Sequence, residues 1–234
     1  MPTPSRLLII DNSLDSSIYS PVGHWTRHAS CDFDAVMPPM GEFPHRLDAY
    51  SHVIITGSEC SILSDEDWIL AECDLVREMA ALEIPILGSC FGQQLVVRAL
   101  SGKEFVQTTE TPEFGWVDTF LTVPDGQRDT VIGELPSLFS VFTSHFDEVS
   151  PLPPDWTRMA WSEDCANAAI RWLEGPVWGI QHHPEINYED GRRLLKALPN
   201  IMPDKKNLIR KFMHASRRDS EVTAALVEAF LNNA

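Results

Sequence analysis

Apolar and polar positions along this chain switch between short β-type runs and longer helical stretches. Leu7-Leu-Ile-Ile10 is an unbroken apolar run that predicts a buried strand, closed by Asp11-Asn12. The segment from there to about Pro44 is rich in turn residues and aromatics, and predicts an irregular helix at most. Residues 51–56 form a second buried strand. At Ser64 the period changes: a serine cap and an acidic first turn, Ser64-Asp-Glu-Asp-Trp-Ile, open a helix whose apolar spacing runs to about Leu82. Residues 84–87 predict the next strand and 91–100 the next helix, with Gly102 as its C-cap. Between 105 and 170 the alternation shortens, as for antiparallel strands and loops on the edge of the main sheet. Pro151-Leu-Pro-Pro-Asp155 reads there as a rigid loop rather than a domain linker. Buried strands return over 171–180. From about residue 189 the chain is helical, and 220–231 places Val222, Leu226, Ala229 and Phe230 at helical spacing behind Ser220 as a cap. Strands alternating with helices at this length define an α/β class. We read residues 1–234 as one unit with a helical extension from about 200.

The junction at residues 84–95, Ile-Pro-Ile-Leu-Gly-Ser-Cys-Phe-Gly-Gln-Gln-Leu, carries the chemistry. An apolar strand enters Gly-x-Cys-x-Gly and a helix starts directly after it, which is the sequence form of a nucleophile elbow with cysteine at its centre. Gly88 and Gly92 leave the turn unobstructed on both sides of Cys90. The thiol is thereby raised to the carboxyl edge of a sheet at a helix N-terminus, where the dipole favours thiolate. Downstream, Val177-Trp-Gly-Ile-Gln-His-His-Pro-Glu185 is a short strand ending in a polar cluster. Strand alternation puts Gln181, His183 and Glu185 on one face and His182 on the other, provided the extended geometry persists through Pro184. Cys90 then attacks, His183 moves protons and Glu185 orients the imidazole, with His182 as the rival histidine.

Gly88-Ser-Cys-Phe-Gly-Gln-Gln94 together with Gly179-Ile-Gln-His-His-Pro-Glu185 resembles the class I glutamine amidotransferase family, the Cys-His-Glu triad type, over roughly residues 5–195. Its usual forms are G-x-C-x-G-x-Q and a later Q-x-H-P-E. Within the family the chain is similar to stand-alone members akin to the amidotransferase domain of GMP synthase. The resemblance implies a three-layer, mostly parallel, flavodoxin-like sheet flanked by helices. It also implies an oxyanion hole from backbone N–H groups of Phe91 and of a glycine loop, commonly S-G-G-P. Here that loop is Thr56-Gly57-Ser58-Glu59, so Gly57 and Ser58 stand at the donor positions and the second glycine and the proline are replaced. Gln94 and the Ser144-His145-Phe146-Asp147 segment match positions that contact the bound substrate. Asp147 faces an α-ammonium group or holds its loop through hydrogen bonds; both remain open at this point. Glu113-Phe-Gly-Trp116 also matches, with Gly115 and Trp116 read as turn and packing.

The activity so implied is hydrolysis of the glutamine side-chain amide through a γ-glutamyl thioester, with ammonia passed to a separate acceptor or synthetase. The chain holds no Ser-Gly-Gly-x-Asp-Ser pyrophosphate loop and no Walker loop of its own. A γ-glutamyl peptidase is the second enzyme reading, and a non-catalytic binding module the third. No cofactor and no metal are called for. Composition changes the picture only at its margins. A net charge of −16 argues against nucleic acid or an anionic membrane as partner. Five cysteines, at 31, 60, 73, 90 and 165, show no metal spacing, and a catalytic thiol suits a reducing, cytoplasmic setting. The N-terminus shows no signal-peptide pattern and no apolar run reaches the length of a membrane span. Lys205, Lys206, Arg210, Lys211, Arg217 and Arg218 make the tail locally basic, read as the solvated face of a packed helix or, as the alternative, a docking surface for an acidic partner.

Overall fold

The computed structural model of the 234-residue chain describes residues 6–15, 19–122, 129–214 and 222–233. In chain order the strands are β1 (Arg6–Ile10), β2 (Asp32–Val36), β3 (His52–Ile55), β4 (Ile86–Ser89), β5 (Val106–Leu121), β6 (Leu138–Val149), β7 (Trp156–Trp161), β8 (Ala169–Trp172), β9 (Val177–Ile180) and β10 (Met213–His214). The α-helices are α1 (Pro21–Thr26), α2 (Asp67–Ala81), α3 (Phe91–Leu100), α4 (Tyr188–Ile201), α5 (Lys206–Lys211) and α6 (Thr223–Leu231). The sheet runs β10-β5-β7-β8-β9-β4-β3-β1-β2, with β6 paired to β5. From β2 to β9 every pairing is parallel; β5, β6, β7 and β8 continue the sheet antiparallel.

Strand alternation explains the layers. Leu8 and Ile10 of β1, Val53 and Ile55 of β3 and Ile86 of β4 face one core, filled from outside by Ile69, Val76 and Met79 of α2 and Leu95 and Val96 of α3. Leu7, Ile9, Ile54 and Leu87 face the other, covered by Trp25 of α1 and Leu226, Val227 and Phe230 of α6. Strands buried on both faces read as the continuous apolar runs seen in the sequence. The mostly parallel, helix-flanked fold is as expected, and among the described residues no helix is long and apolar enough to cross a membrane.

Four local expectations change. Residues 32–36 form strand β2, which pairs in parallel with β1 at the sheet edge. Its half-exposed Asp-Phe-Asp-Ala-Val pattern hides the strand among turn residues. The elbow strand lies two residues later than expected, at Ile86–Ser89. Helix α2 begins at Asp67 rather than behind Ser64. The Ser64 carbonyl accepts instead from Arg98 Nη1 at 2.6 Å, so a buried arginine from α3 holds 62–65 as a loop. The last helix starts at Thr223, and Val227 takes the buried place expected of Ala229; Ser220, Arg217 and Arg218 lie outside the described residues.

Helix α2 also carries a buried acid. Glu72 is fully buried, and burial pushes its carboxyl up to about 8, against the hydrogen bond it accepts from Asn12 Nδ2 at 3.0 Å. A folded value above the ordinary 4.5 means this site favours folding below about pH 4.5 and loses that contribution as pH rises through 8. Glu72→Gln keeps the shape and cannot ionise. At pH 9 it should be more stable than wild type by on the order of 1–3 kcal/mol, and no more stable at pH 5. Urea denaturation at both values checks this, and equal gains at both would remove the titration argument.

Candidate active site

Cys90 is the only residue between β4 and α3, and it takes φ 52°, ψ −107°. Such a backbone costs a non-glycine residue about 1–3 kcal/mol and persists only when its surroundings fix it. Three contacts do so. The Cys90 N–H donates to the Ile180 carbonyl of β9 at 2.7 Å. A Cβ on Gly92 would lie 2.3 Å from the Ile55 carbonyl oxygen, and one on Gly88 2.4 Å from the Gly92 oxygen. The two glycines therefore do more than clear the turn: they let α3 press directly onto β3 and β4. The Phe91 N–H, at the first position of α3, is one of the N–H groups that a helix N-terminus leaves without an intrahelical partner.

His183 comes to the thiol from β9. Strand geometry ends at Ile180, and a turn, closed by Ile186 N–H to the His183 carbonyl at 3.1 Å, brings Glu185 beside His183. The pairing expected of an extended chain is thus made by a turn instead. His183 Nδ1 lies 2.9 Å from Glu185 Oε1, which leaves Nε2 toward sulfur. Burial opposes a charge on this imidazole, but the charges of Cys90 and Glu185 and hydrogen bonds with both raise it to about 10. His182 faces another network, with Nδ1 3.1 Å from Thr119 Oγ1 and Nε2 3.6 Å from Glu113 Oε2; burial lowers it. Of the two adjacent histidines, His183 is the one that meets Cys90 and Glu185.

The loop after β3 packs against the His183 ring and lines the cavity that holds Cys90. A Cβ on Gly57 would sit 2.6 Å from His183 Cε1, so only glycine lets the loop approach the ring this closely. The departures from the usual loop sequence both form bonds. Ser58 Oγ accepts from Cys60 N–H at 3.1 Å, and Glu59 Oε2 accepts from Leu14 N–H at 2.8 Å, tying the loop to the segment after β1.

Gln94 is buried, and its Nε2 donates to the Asp147 carbonyl at 2.6 Å and to Gln181 Oε1 at 3.1 Å; Gln181 Nε2 in turn lies 3.6 Å from the Cys90 sulfur. The Asp147 carboxylate accepts from Ser61 (2.5 Å) and Thr108 (2.9 Å), so here it holds the loops together. The Ser144 carbonyl lies 3.8 Å from the sulfur. His145 is held at both nitrogens, by the Asp147 carbonyl at 3.2 Å and Glu113 Oε2 at 3.1 Å. All four positions line the cavity that opens at Cys90.

Three contributors are not singled out as site residues by the sequence: Tyr19 lies in no motif, while Gln181 and Glu113 stand inside the matched Gln181–Glu185 and Glu113–Trp116 segments. Tyr19, buried, donates its O–H to Glu185 Oε1 and presents its ring edge-on to His183 at 5.6 Å. Gln181 bridges Gln94 and the sulfur. Glu113 draws His145 and His182 together; burial opposes its charge, but the two histidines hold it well below the usual carboxylate range. Among the described residues Glu113, His145 and Cys165 are the one group whose ligand atoms converge, within 4.8 Å. Their arrangement is a hydrogen-bonded one, since Glu113 already accepts from His145 and, at 2.8 Å, from Ser162.

A cysteine on a strained strand-to-helix turn, in contact with a carboxylate-oriented imidazole, defines on this α/β sheet a site for acyl chemistry with a thiol nucleophile. The profile of the glutamine amidotransferase class-I family matches residues 19–197, and the chain belongs to that family. It is 32% identical over 170 residues to the glutamine-hydrolyzing GMP synthase of Porphyromonas gingivalis, covering 72% of this chain and 32% of the relative. It is 36% identical over 127 residues to a glutamine-hydrolyzing GMP synthase subunit of Methanothermobacter thermautotrophicus, covering 54% of this chain and 65% of that one. The chain thus spans about a third of the full-length synthase it matches. A glutamine amidotransferase structure from Thermotoga maritima superposes with a TM-score of 0.75 at 26% identity, over 97% of this chain and 96% of that one.

Cys60 lines the same cavity, but burial and Glu66 push its thiol up to about 11. His183, whose imidazole is raised by Cys90 and Glu185, stands beside the elbow thiol. Iodoacetamide at pH 7.5 should therefore alkylate Cys90 at least about tenfold faster than Cys60, read by peptide mass spectrometry. Equal rates would mean that the imidazole does not activate the elbow thiol.

Proposed function

We propose that this chain hydrolyses the side-chain amide of L-glutamine and passes the ammonia to a separate synthetase or other acceptor. The contact set Cys90–His183–Glu185 at the strained elbow carries this reading. Cys90 attacks the δ-carbonyl carbon, and the oxyanion is received by backbone N–H groups of Phe91 and of Gly57-Ser58. His183 gives its proton to the departing nitrogen, the C–N bond breaks, and ammonia leaves a γ-glutamyl thioester. His183 then takes a proton from water, whose oxygen displaces sulfur and releases glutamate. Gln94, Ser144, His145 and Asp147 shape the amino-acid end of the cavity, where the carbonyl and side-chain oxygens suit an α-ammonium group. No step calls for a metal or cofactor.

A separate acceptor fits the likeness to a chain named as one subunit of a glutamine-hydrolyzing synthase. All five cysteines are free thiols, which with a thiol nucleophile favours a reducing compartment such as the cytoplasm.

Purified protein given L-glutamine should release glutamate and ammonia in equal amounts. Cys90→Ala should lower the rate by about a thousandfold or more; a variant that kept its activity would sink the mechanism. Tyr19 acts through Glu185 and His183 rather than on substrate. Tyr19→Phe should lower kcat about tenfold, the scale of one hydrogen bond to a charged group, with KM within about twofold. A change confined to KM would make Tyr19 a binding residue instead.

A further inference from the structure

The cavity offers more surface than glutamine hydrolysis uses. Ammonia needs no binding surface as it departs, yet Ile186, Leu194, Leu198 and Met202 line the cavity, together with the exposed Lys205. All five come from the turn after Glu185 and from α4 and the turn that follows it. Leu198, Met202 and Lys205 lie past the end of the family match at residue 197.

The wall belongs to the histidine side. The Phe142 carbonyl accepts the His183 N–H at 2.8 Å, and the Phe142 ring lies 6.4 Å from the His183 imidazole. Phe142 packs in one cluster with Ile186 and Leu198, against which Phe146, Leu194 and Met202 rest. The departing group takes its proton from His183, and this surface adjoins that imidazole. Lys205 Nζ sits 3.7 Å from the Phe146 ring centroid. Among the described residues it forms no ion pair with a carboxylate. It is also the one lysine or arginine among the cavity-lining residues.

We propose that this wall is a leaving-group subsite, and that the pocket takes γ-glutamyl amino acids whose amide nitrogen carries an apolar side chain and a carboxylate. The side chain lies against Leu194, Leu198 and Met202, and the carboxylate meets Lys205. The inference rests on the acyl-transfer reading of Cys90 and widens its substrate from glutamine to N-substituted γ-amides. The chemistry stays balanced. Sulfur bonds to the δ-carbon, the C–N bond breaks, and the nitrogen takes the His183 proton and leaves as a free amino acid. Water then cleaves the thioester as before and returns the proton to the site.

Three substrates test it in the full-length protein: L-glutamine, γ-glutamyl-leucine and γ-glutamyl-leucinamide, which lacks the terminal charge. Wild type should prefer γ-glutamyl-leucine over the leucinamide by about tenfold or more in kcat/KM, and Lys205→Met should bring that ratio near one. A ratio near one in wild type, or one that survives Lys205→Met, overturns the proposal. Equal losses on glutamine and γ-glutamyl-leucine would place Lys205 at the α-carboxylate and overturn it too. Binding to Cys90→Ala, followed by calorimetry, decides the subsite without turnover: γ-glutamyl-leucine should bind at least about tenfold more tightly than glutamine, and equal or weaker binding refutes it. Ammonia release from glutamine by wild type separately decides the glutaminase reading.

Discussion

The site depends on one strained residue and on what prevents its relaxation. A cysteine at φ 52° would rotate away if α3 could withdraw from the sheet. It cannot, because Gly92 lies against the Ile55 carbonyl of β3 while the Cys90 N–H is bonded to Ile180 of β9. β4 stands between those two strands in the sheet, so the elbow is clamped from both neighbours at once. The same two strands continue into the loops that surround the thiol, β3 into Gly57-Ser58 and β9 into His183. The backbone that creates the strain therefore also delivers the groups that surround the sulfur.

Electrostatics adds a second layer to that clamp. On a protein of net charge −16, the region around the sulfur is built from buried, paired groups rather than from surface charge. Glu185 is buried and receives both His183 and Tyr19. Glu113 is buried and receives His145 and Ser162, with His182 beside it. Glu113 thus has a donor on each oxygen, whereas both donors to Glu185 meet Oε1 and its Oε2 is buried without a hydrogen-bond partner among the described residues. The two networks flank the adjacent histidines and give them opposite tendencies: His183, against Cys90 and Glu185, is raised, and His182 is lowered by burial. Adjacent in sequence, they are separated in role by which carboxylate each meets.

What was legible in the sequence is what the chain makes locally. Cys90 with its flanking glycines, and His183 with Glu185, each lie within a few residues of one another, so their spacing survives in the linear text. The buried parallel strands were legible because a strand covered on both faces is apolar at every position. What stayed hidden depends on partners brought from far away. Glu113 meets His145 because β5 and β6 pair those two residues in register. Tyr19 reaches Glu185 from a segment with no apolar periodicity. Ser64 looked like a helix cap because nothing local reveals that Arg98 claims its carbonyl. Strand β2 was missed because an edge strand need not be apolar, and Asp-Phe-Asp-Ala-Val is half exposed.

The division of labour in the pocket follows from the same distinction. The groups nearest the sulfur come from strand ends, where sheet hydrogen bonding fixes the backbone and a shift of an ångström would disturb several bonded neighbours. The outer wall comes from Ile186 and from the stretch 194–205, where α4 and the turn after it rest on Phe142, Phe146 and the cluster around them. Side-chain packing of that kind tolerates exchange of one apolar residue for another far better than the elbow tolerates a Cβ on Gly92. Chemistry is therefore set by the sheet, and the shape of what the cavity admits by the helical segment laid beside it. The first can stay fixed while the second varies, because no described backbone hydrogen bond of the elbow passes through α4.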